Sequence, residues 1–303
     1  MERVTLRLGD GQDGRRIQSA AQQDDCTCHK KYLIFSALLG PRRVLTNDWE
    51  LGLRLIRLLR KDLKVGRAKY IPMTTHIILI RHGETTWNLE GRIQGHLQIP
   101  LNERGLRQAE ATANALMNER VDAIYSSDLI RASCTAAAIA RVLDLPVLLE
   151  PRLREWDLGV LSGLLSSEAE ERHPDAYRIY RERDVNPAIP GGESILSRYR
   201  RVTSCISEIA ARHPDSHLIV VSHGGPLGDS YRHATGTDIG RKILVKLYNT
   251  AINRIQISDG DWGIQSWGDI AHLSEIGSLA NWEARRQHEP RKPSASHDDT
   301  SRG

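Results

Sequence analysis

Phenylalanine occurs once in 303 residues, and aromatic residues together make up only 5% of the chain. Leu, Ile, Val and Ala must therefore carry the packing. Cysteine is also scarce. Cys26, Cys28, Cys134 and Cys205 are too few and too scattered for a disulfide framework, which points to a reducing compartment and so to the cytoplasm. Cys26-Thr27-Cys28-His29 has one residue between its cysteines, which is not the haem-attachment spacing, and it lacks the second ligand pair of a metal site. Long apolar runs are missing too. The patch Tyr32-Leu33-Ile34-Phe35-Ser36-Ala37-Leu38-Leu39 is far too short to span a bilayer, and no integral membrane segment is expected. It lies too deep in the chain, without a clear cleavage site, for a signal peptide.

The net charge of +4 is unevenly distributed. Residues 1–72 hold 15 Lys/Arg against 8 Asp/Glu, whereas the rest of the chain holds 27 against 30. The basic excess thus belongs to the N-terminal segment, and the remainder offers no electrostatic footprint for nucleic acid. Asn47 or Asp48 is placed to cap a basic amphipathic helix carrying Leu51, Leu55, Ile56, Leu58 and Leu59. We read residues 1–72 as an N-terminal extension, with Met73 as a plausible translation start, residues 73–273 as the catalytic domain, and residues 274–303 as a disordered polar tail.

Within 73–273 short apolar runs alternate with helical patterns. Strands are expected at 77–80, 121–125, 146–149, 218–221, 243–247, 252–257 and 262–267, and helices at 102–117, from Ser126-Ser127-Asp128 through Leu143, at 166–183 and at 194–213. This alternation predicts an α/β fold: a three-layer sandwich with a mostly parallel central sheet and helices on both faces.

Two strands end alike. Ile77-Ile78-Leu79-Ile80 runs into Arg81-His82-Gly83-Glu84-Thr85, and Leu218-Ile219-Val220-Val221 runs into Ser222-His223-Gly224-Gly225. Unbroken apolar runs mark strands buried on both faces. The carboxyl ends of such strands are where ligands bind in open parallel sheets. Arg81 supplies a planar fork of donors suited to phosphate, His82 a nitrogen nucleophilic near neutrality, and Gly83 a backbone able to turn and approach a ligand. Histidines at strand ends also suit metals. Here the neighbouring Arg81 would repel a divalent ion and attract phosphate, so neither metal nor organic cofactor is expected.

Arg81-His82-Gly83-Glu84-Thr85, with Trp87-Asn88 and Arg92-x-Gln94-Gly95 behind it, resembles the signature of the histidine phosphatase superfamily, in its phosphoglycerate-mutase-like branch. Four more segments follow in the family's order: Ser127-Asp128-Leu129-x-Arg131-Ala132, Leu153-Arg154-Glu155-x-x-x-Gly159, Pro190-Gly191-Gly192-Glu193-Ser194 and Val221-Ser222-His223-Gly224-Gly225. Even the end, Gly268-Asp269-x-x-His272-Leu273, is similar. The resemblance implies that His82 becomes a phosphohistidine, that Glu155 protonates the leaving oxygen and then activates water, and that His223 stabilises charge on the phosphoryl oxygens. It also implies phosphate and substrate contacts from Arg81, Asn88, Gln94, Gly95, Arg131 and Gly224. Asp157 and Glu84 stay open as rival proton donors. Gln98 and Ser162 depart from the family, standing where relatives commonly carry carboxylates.

The function expected is a phosphomonoesterase acting on a small phosphorylated metabolite. Phosphoglycerate mutase is the alternative, and a non-catalytic phospholigand-binding module a third. The resemblance implies that such mutases carry a long lid between the acid and second-histidine segments, whereas residues 164–190 are short and charged like an exposed helix. A homodimer is compatible with this reading.

Overall fold

A computed structural model describes residues 73–278. The N-terminal extension, its amphipathic pattern, Cys26, Cys28 and the tail beyond Ser278 lie outside the described residues. Six strands form one sheet: β1 (Thr74–Arg81), β2 (Ala123–Ser126), β3 (Val147–Leu149), β4 (His217–Ser222), β5 (Ile252–Ser258) and β6 (Asp261–Asp269). Their spatial order is β3-β2-β4-β1-β5-β6. β3, β2, β4 and β1 run parallel, while β5 and β6 add an antiparallel edge. The expected three-layer sandwich is the one observed.

The apolar runs explain the central strands. Alternate side chains of β1 point to opposite faces. Ile77 and Leu79 enter one core with Val202, Ile206 and Ile209 of helix α6 (Ile195–Arg212). Ile78 and Ile80 enter a second core with Ala113 and Leu116 of α2 (Glu103–Leu116) and Ala132, Ala136 and Ile139 of α3 (Ile130–Leu143). Each of the buried Val, Leu and Ile side chains stabilises the fold by about 1.5–3 kcal/mol relative to exposure. The remaining helices are α1 (Thr86–Glu90), α4 (Ser166–Arg172), α5 (Pro174–Glu182) and α7 (Gly224–Thr235).

Four details differ from expectation. The helix at 166–183 is two helices, because Pro174 has no N–H to continue α4 and instead opens α5. Residues 243–247 form no strand. Ile243 and Leu247 pack beside Gly228 of α7, and the strand position next to β1 belongs to β5. Neither Ser127 nor Asp128 makes a conventional cap for α3: its first residue, Ile130, donates its N–H to Gln98 Oε1 at 2.8 Å. Finally, residues 274–278, which the sequence pattern puts in the tail, bond to the domain. Gln108 donates to the Gly277 carbonyl and the Ser278 hydroxyl donates to the Asn249 carbonyl, both at 2.8 Å.

Candidate active site

Parallel pairing of β1 with β4 sets Arg81 opposite Ser222. The two residues that follow, His82 and His223, therefore emerge side by side. Their ring centroids are 5.2 Å apart and both rings are buried. β2 ends at the same rim, so the segment after it brings Ser127 and Arg131 alongside.

His82 is fixed at both its backbone and its ring. Its N–H donates to the Ser222 carbonyl at 2.9 Å, and its Nδ1 lies 2.7 Å from the Gly83 carbonyl. A carbonyl only accepts, so Nδ1 carries the proton and the lone pair sits on Nε2. Burial, then Arg131 and Arg81, hold its pKa well below the ordinary histidine value. The ring is therefore neutral at pH 7. His223 is likewise depressed, by burial first and then by Arg131 and His82. Its Nε2 meets the Ser127 hydroxyl at 2.8 Å.

The unfolded chain binds protons on these two rings that the folded chain refuses. The stability they contribute is full above about pH 6.5 and is lost as pH falls below it toward their folded values. In nitrogen NMR spectra of the ligand-free protein, both rings should still be neutral at about pH 6, below the ordinary histidine pKa. A protonated His82 there would show that burial and the arginines do not govern it.

Glu155 is held at the start of α7. The Gly225 N–H lies 3.1 and 3.2 Å from its two carboxylate oxygens, and the Trp156 N–H donates to Oε1 at 2.8 Å. A β-carbon at Gly225 would sit 2.2 Å from Oε1, so only glycine leaves room for the acid. The Ser222 hydroxyl donates to the Leu153 carbonyl at 2.7 Å, tying the acid's segment to the end of β4. The rival donors are engaged elsewhere. Glu84 is buried against Asn102 and Arg104, at 2.9 and 3.5 Å. Asp157 accepts from the Gly159 N–H at 3.2 Å and lies 3.7 Å from His96.

The cationic side is built from Arg81 and Arg131, both buried. Arg81 donates to the Leu247 carbonyl at 2.7 Å. Arg131 donates to the carbonyls of Leu97 and Gly95, each at 2.8 Å, and its buried Nε–H has no protein partner. Burial lowers its pKa to about 10, with Glu155 opposing the shift, so it remains a cation at neutrality. Asn88 differs from a plain phosphate ligand. Its Oδ1 accepts from the Thr85 N–H and hydroxyl at 3.0 and 3.1 Å, closing a capping box on α1. Only its Nδ2 amide is left as a donor for phosphate. Gln94 presents a buried Oε1 without a partner. Gly95, at φ +51°, approaches Ser162 so closely that a β-carbon would lie 2.5 Å from its hydroxyl. Gly224 opens α7, whose N-terminus favours an anion. Gly83 is required for another reason than a tight turn: its φ is not positive, and a β-carbon there would meet the Gly105 carbonyl at 2.6 Å.

Sequence reasoning assigned no role to three residues that shape this site. Ser127 was visible in its motif, yet nothing local signals its bond to His223. Arg201 of α6 donates to the carbonyls of Arg152, Arg154 and Glu155 and pairs with Glu193, fixing the acid's backbone. Arg198 forms a buried two-point pair with Asp229 at 2.7 and 2.9 Å and lies over the Trp156 ring. Its place on the apolar face of α6, between Ile195 and Val202, was a readable signal. Among the described residues no His, Cys, Asp and Glu side chains cluster as a metal site.

Residues 77–270 match the histidine phosphatase superfamily (branch 1). The chain is 42% identical over 207 residues to phosphoglycerate mutase-like protein 4 of Arabidopsis thaliana, spanning 67% of this chain and 89% of that protein. It is equally similar, 42% over 208 residues, to a metal-independent phosphoserine phosphatase of the same plant, spanning 68% and 86%. A solved phosphoserine phosphatase from Entamoeba histolytica, in complex with 3-phosphoglyceric acid, superposes with a TM-score of 0.57 at 30% identity over 66% of this chain and 99% of that one. The motifs, the sheet and these relatives agree: this chain belongs to the histidine phosphatase superfamily.

Proposed function

We propose that this phosphatase hydrolyses a small phosphorylated metabolite through a phosphohistidine formed on His82. The observation that carries the reading is the pairing of two buried, neutral histidines with two buried arginines at adjacent strand ends. Arg81, Arg131, the α7 N-terminus and the Asn88 amide receive the phosphate dianion. His82 Nε2 attacks phosphorus as the P–O bond to the leaving group breaks, and protonated Glu155 gives its proton to the departing oxygen. Water then attacks the phosphohistidine, Glu155 takes the water's proton, and the P–N bond breaks to release phosphate and restore His82. His223, held by Ser127, stabilises charge on the transferring oxygens. Phosphorylated amino or hydroxy acids fit the relatives' names and set the first substrates to try. Scattered cysteines support the cytoplasm as its site. The described thiols fit that reading: Cys134 and Cys205 are unpaired, and burial pushes Cys205 up to about 12. No helix among the described residues is long and apolar enough to cross a membrane. Residues 1–72 lie outside the matched region, and we take them to be dispensable for turnover.

Mutase chemistry is the second reading, favoured by the names of several relatives. It requires the phosphorylated enzyme to exclude water. Residues 164–190 supply two short helices whose Ala169, Ala176 and Tyr177 pack on Trp156, Leu158 and Leu161, leaving Glu170 and Glu171 exposed, while Glu168 accepts from the Leu165 N–H at 2.8 Å and pairs with Arg92 at 3.2 Å. That arrangement favours access of water to the phosphohistidine. Given 3-phosphoglycerate and a trace of 2,3-bisphosphoglycerate, the protein should release phosphate faster than it forms 2-phosphoglycerate. Faster isomer formation would establish the mutase instead.

A further inference from the structure

The catalytic segment leaves the sheet at Arg81, and beyond that point its main-chain carbonyls need partners from elsewhere. The groups that meet them come from a distant corner just before β5. The Thr250 N–H donates to the Arg81 carbonyl at 2.9 Å, and Asn249 Nδ2 donates to the His82 carbonyl at 2.8 Å. Two residues earlier, the Leu247 carbonyl accepts from the Arg81 guanidinium. Asn249 and Thr250 are fully buried.

This corner is strained. Thr250 has φ +54°, a left-handed conformation that a β-branched residue seldom adopts and that costs roughly 1–3 kcal/mol. Its own hydroxyl makes no hydrogen bond, so the side chain does not hold the conformation. The restraint comes from the backbone on both sides. While the Thr250 N–H faces Arg81, its carbonyl faces the C-terminal segment, where His272 Nε2 lies at 3.2 Å. The same nitrogen is 3.1 Å from the Thr112 hydroxyl, which donates to the Gln108 carbonyl at 2.8 Å and reaches the Thr250 carbonyl only at 3.5 Å, leaving His272 the nearer side-chain donor to Thr250. The Ser278 hydroxyl holds the Asn249 carbonyl at 2.8 Å. Gln108 closes the circuit, accepting from the Glu84 N–H at 2.9 Å and donating to the Gly277 carbonyl. Thus residues 272–278 reach both the strained corner and the loop that carries the nucleophile. His272 belongs to the last segment of the family resemblance, and the reaction as written gives it no part.

We propose that His272 is a positioning residue for phosphoryl transfer: its Nε2–H holds Thr250 in the left-handed conformation, and the Asn249-Thr250 corner sets the position of Arg81 and His82 against the phosphorus. The inference rests on the phosphohistidine reading above. Without the His272 bond the Thr250 backbone relaxes toward an ordinary conformation, and the two catalytic carbonyls lose their fixed donors. Substrate still binds through the guanidinium groups, but the line of attack degrades.

The test compares wild type, His272→Leu, Thr250→Asn and the double variant with enzyme in excess over p-nitrophenyl phosphate, so that p-nitrophenolate release reports phosphoryl transfer to the enzyme. Misplacement on the order of 1 Å costs about 10²-fold in such a step. His272→Leu should slow it by roughly 10- to 100-fold with the half-saturating enzyme concentration little changed. Asparagine tolerates the left-handed region, so Thr250→Asn should restore most of the rate in the His272→Leu background. Loss of a packing residue alone would not be rescued in this way. Ser278→Ala removes only the hydroxyl on the Asn249 carbonyl and should slow transfer severalfold, which serves if His272→Leu fails to fold. A rate in His272→Leu equal to wild type, or a slow rate that Thr250→Asn leaves unrepaired, would overturn the inference alone. Failure to trap any acid-labile phosphate on wild-type His82 would remove the phosphohistidine reading, and this inference with it.

Discussion

Replacing His82 with alanine should lower turnover by about 10⁴- to 10⁶-fold, the loss typical of a covalent nucleophile. The fold should survive, because the ring's own bond is to the adjacent Gly83 carbonyl and the His82 backbone bonds to Ser222 and Asn249 remain available. The geometry supports our assignment of this role to His82. His82 has its proton placed on Nδ1 by a carbonyl and so presents a lone pair on Nε2, whereas the Nε2 of His223 is engaged with Ser127. Acid quench after a brief exposure to labelled substrate should leave label on the peptide containing His82. Label on the His223 peptide alone would exchange the two roles.

The second large effect concerns the acid, and its signature is selectivity. Glu155→Gln retains an oxygen able to accept from the Gly225 and Trp156 N–H groups, so the shape of the site is kept while the transferable proton is lost. Turnover of alkyl phosphates should fall by about 10²- to 10⁴-fold. Turnover of p-nitrophenyl phosphate, whose leaving group departs without a proton, should fall much less. Equal losses on both substrates would return the role to Asp157 or Glu84, despite the bonds that hold those carboxylates away from Gly225.

The central strands were legible because burial on both faces writes an unbroken apolar run, and Ile77–Ile80 and Leu218–Val221 are such runs. The site residues were legible for another reason: each stands in a short motif whose order along the chain matches the family. What escaped were contacts between residues far apart. Gln98 serves α3 from 32 positions away, and no local pattern distinguishes it from the Ser127 and Asp128 that stand next to the helix. Those two are engaged otherwise, Ser127 by His223 and Asp128 by Arg154. Residues 243–247 alternate like a strand, but alternation reports only that one side is apolar. In this fold that side meets α7. The break at Pro174 was readable, since proline cannot continue the helix before it, and the charged pattern running through it obscured the boundary.

One consequence of the paired arginines concerns the reaction's end. On the proposed mechanism Arg81 and Arg131 recognise the dianion by charge and bond geometry, and inorganic phosphate offers them the same oxygens as the substrate does. The site therefore has little means of preferring substrate over product at the phosphate itself. Accumulating orthophosphate should compete with substrate and throttle the enzyme, more strongly in dilute buffer than in concentrated salt, where counter-ions weaken exposed parts of the field. Bound orthophosphate should also raise the melting temperature, with a rise that continues as the logarithm of phosphate concentration once the site is filled, because the unfolded chain has no such site. In a cell, flux through this enzyme would then depend on how fast its phosphate is drawn away.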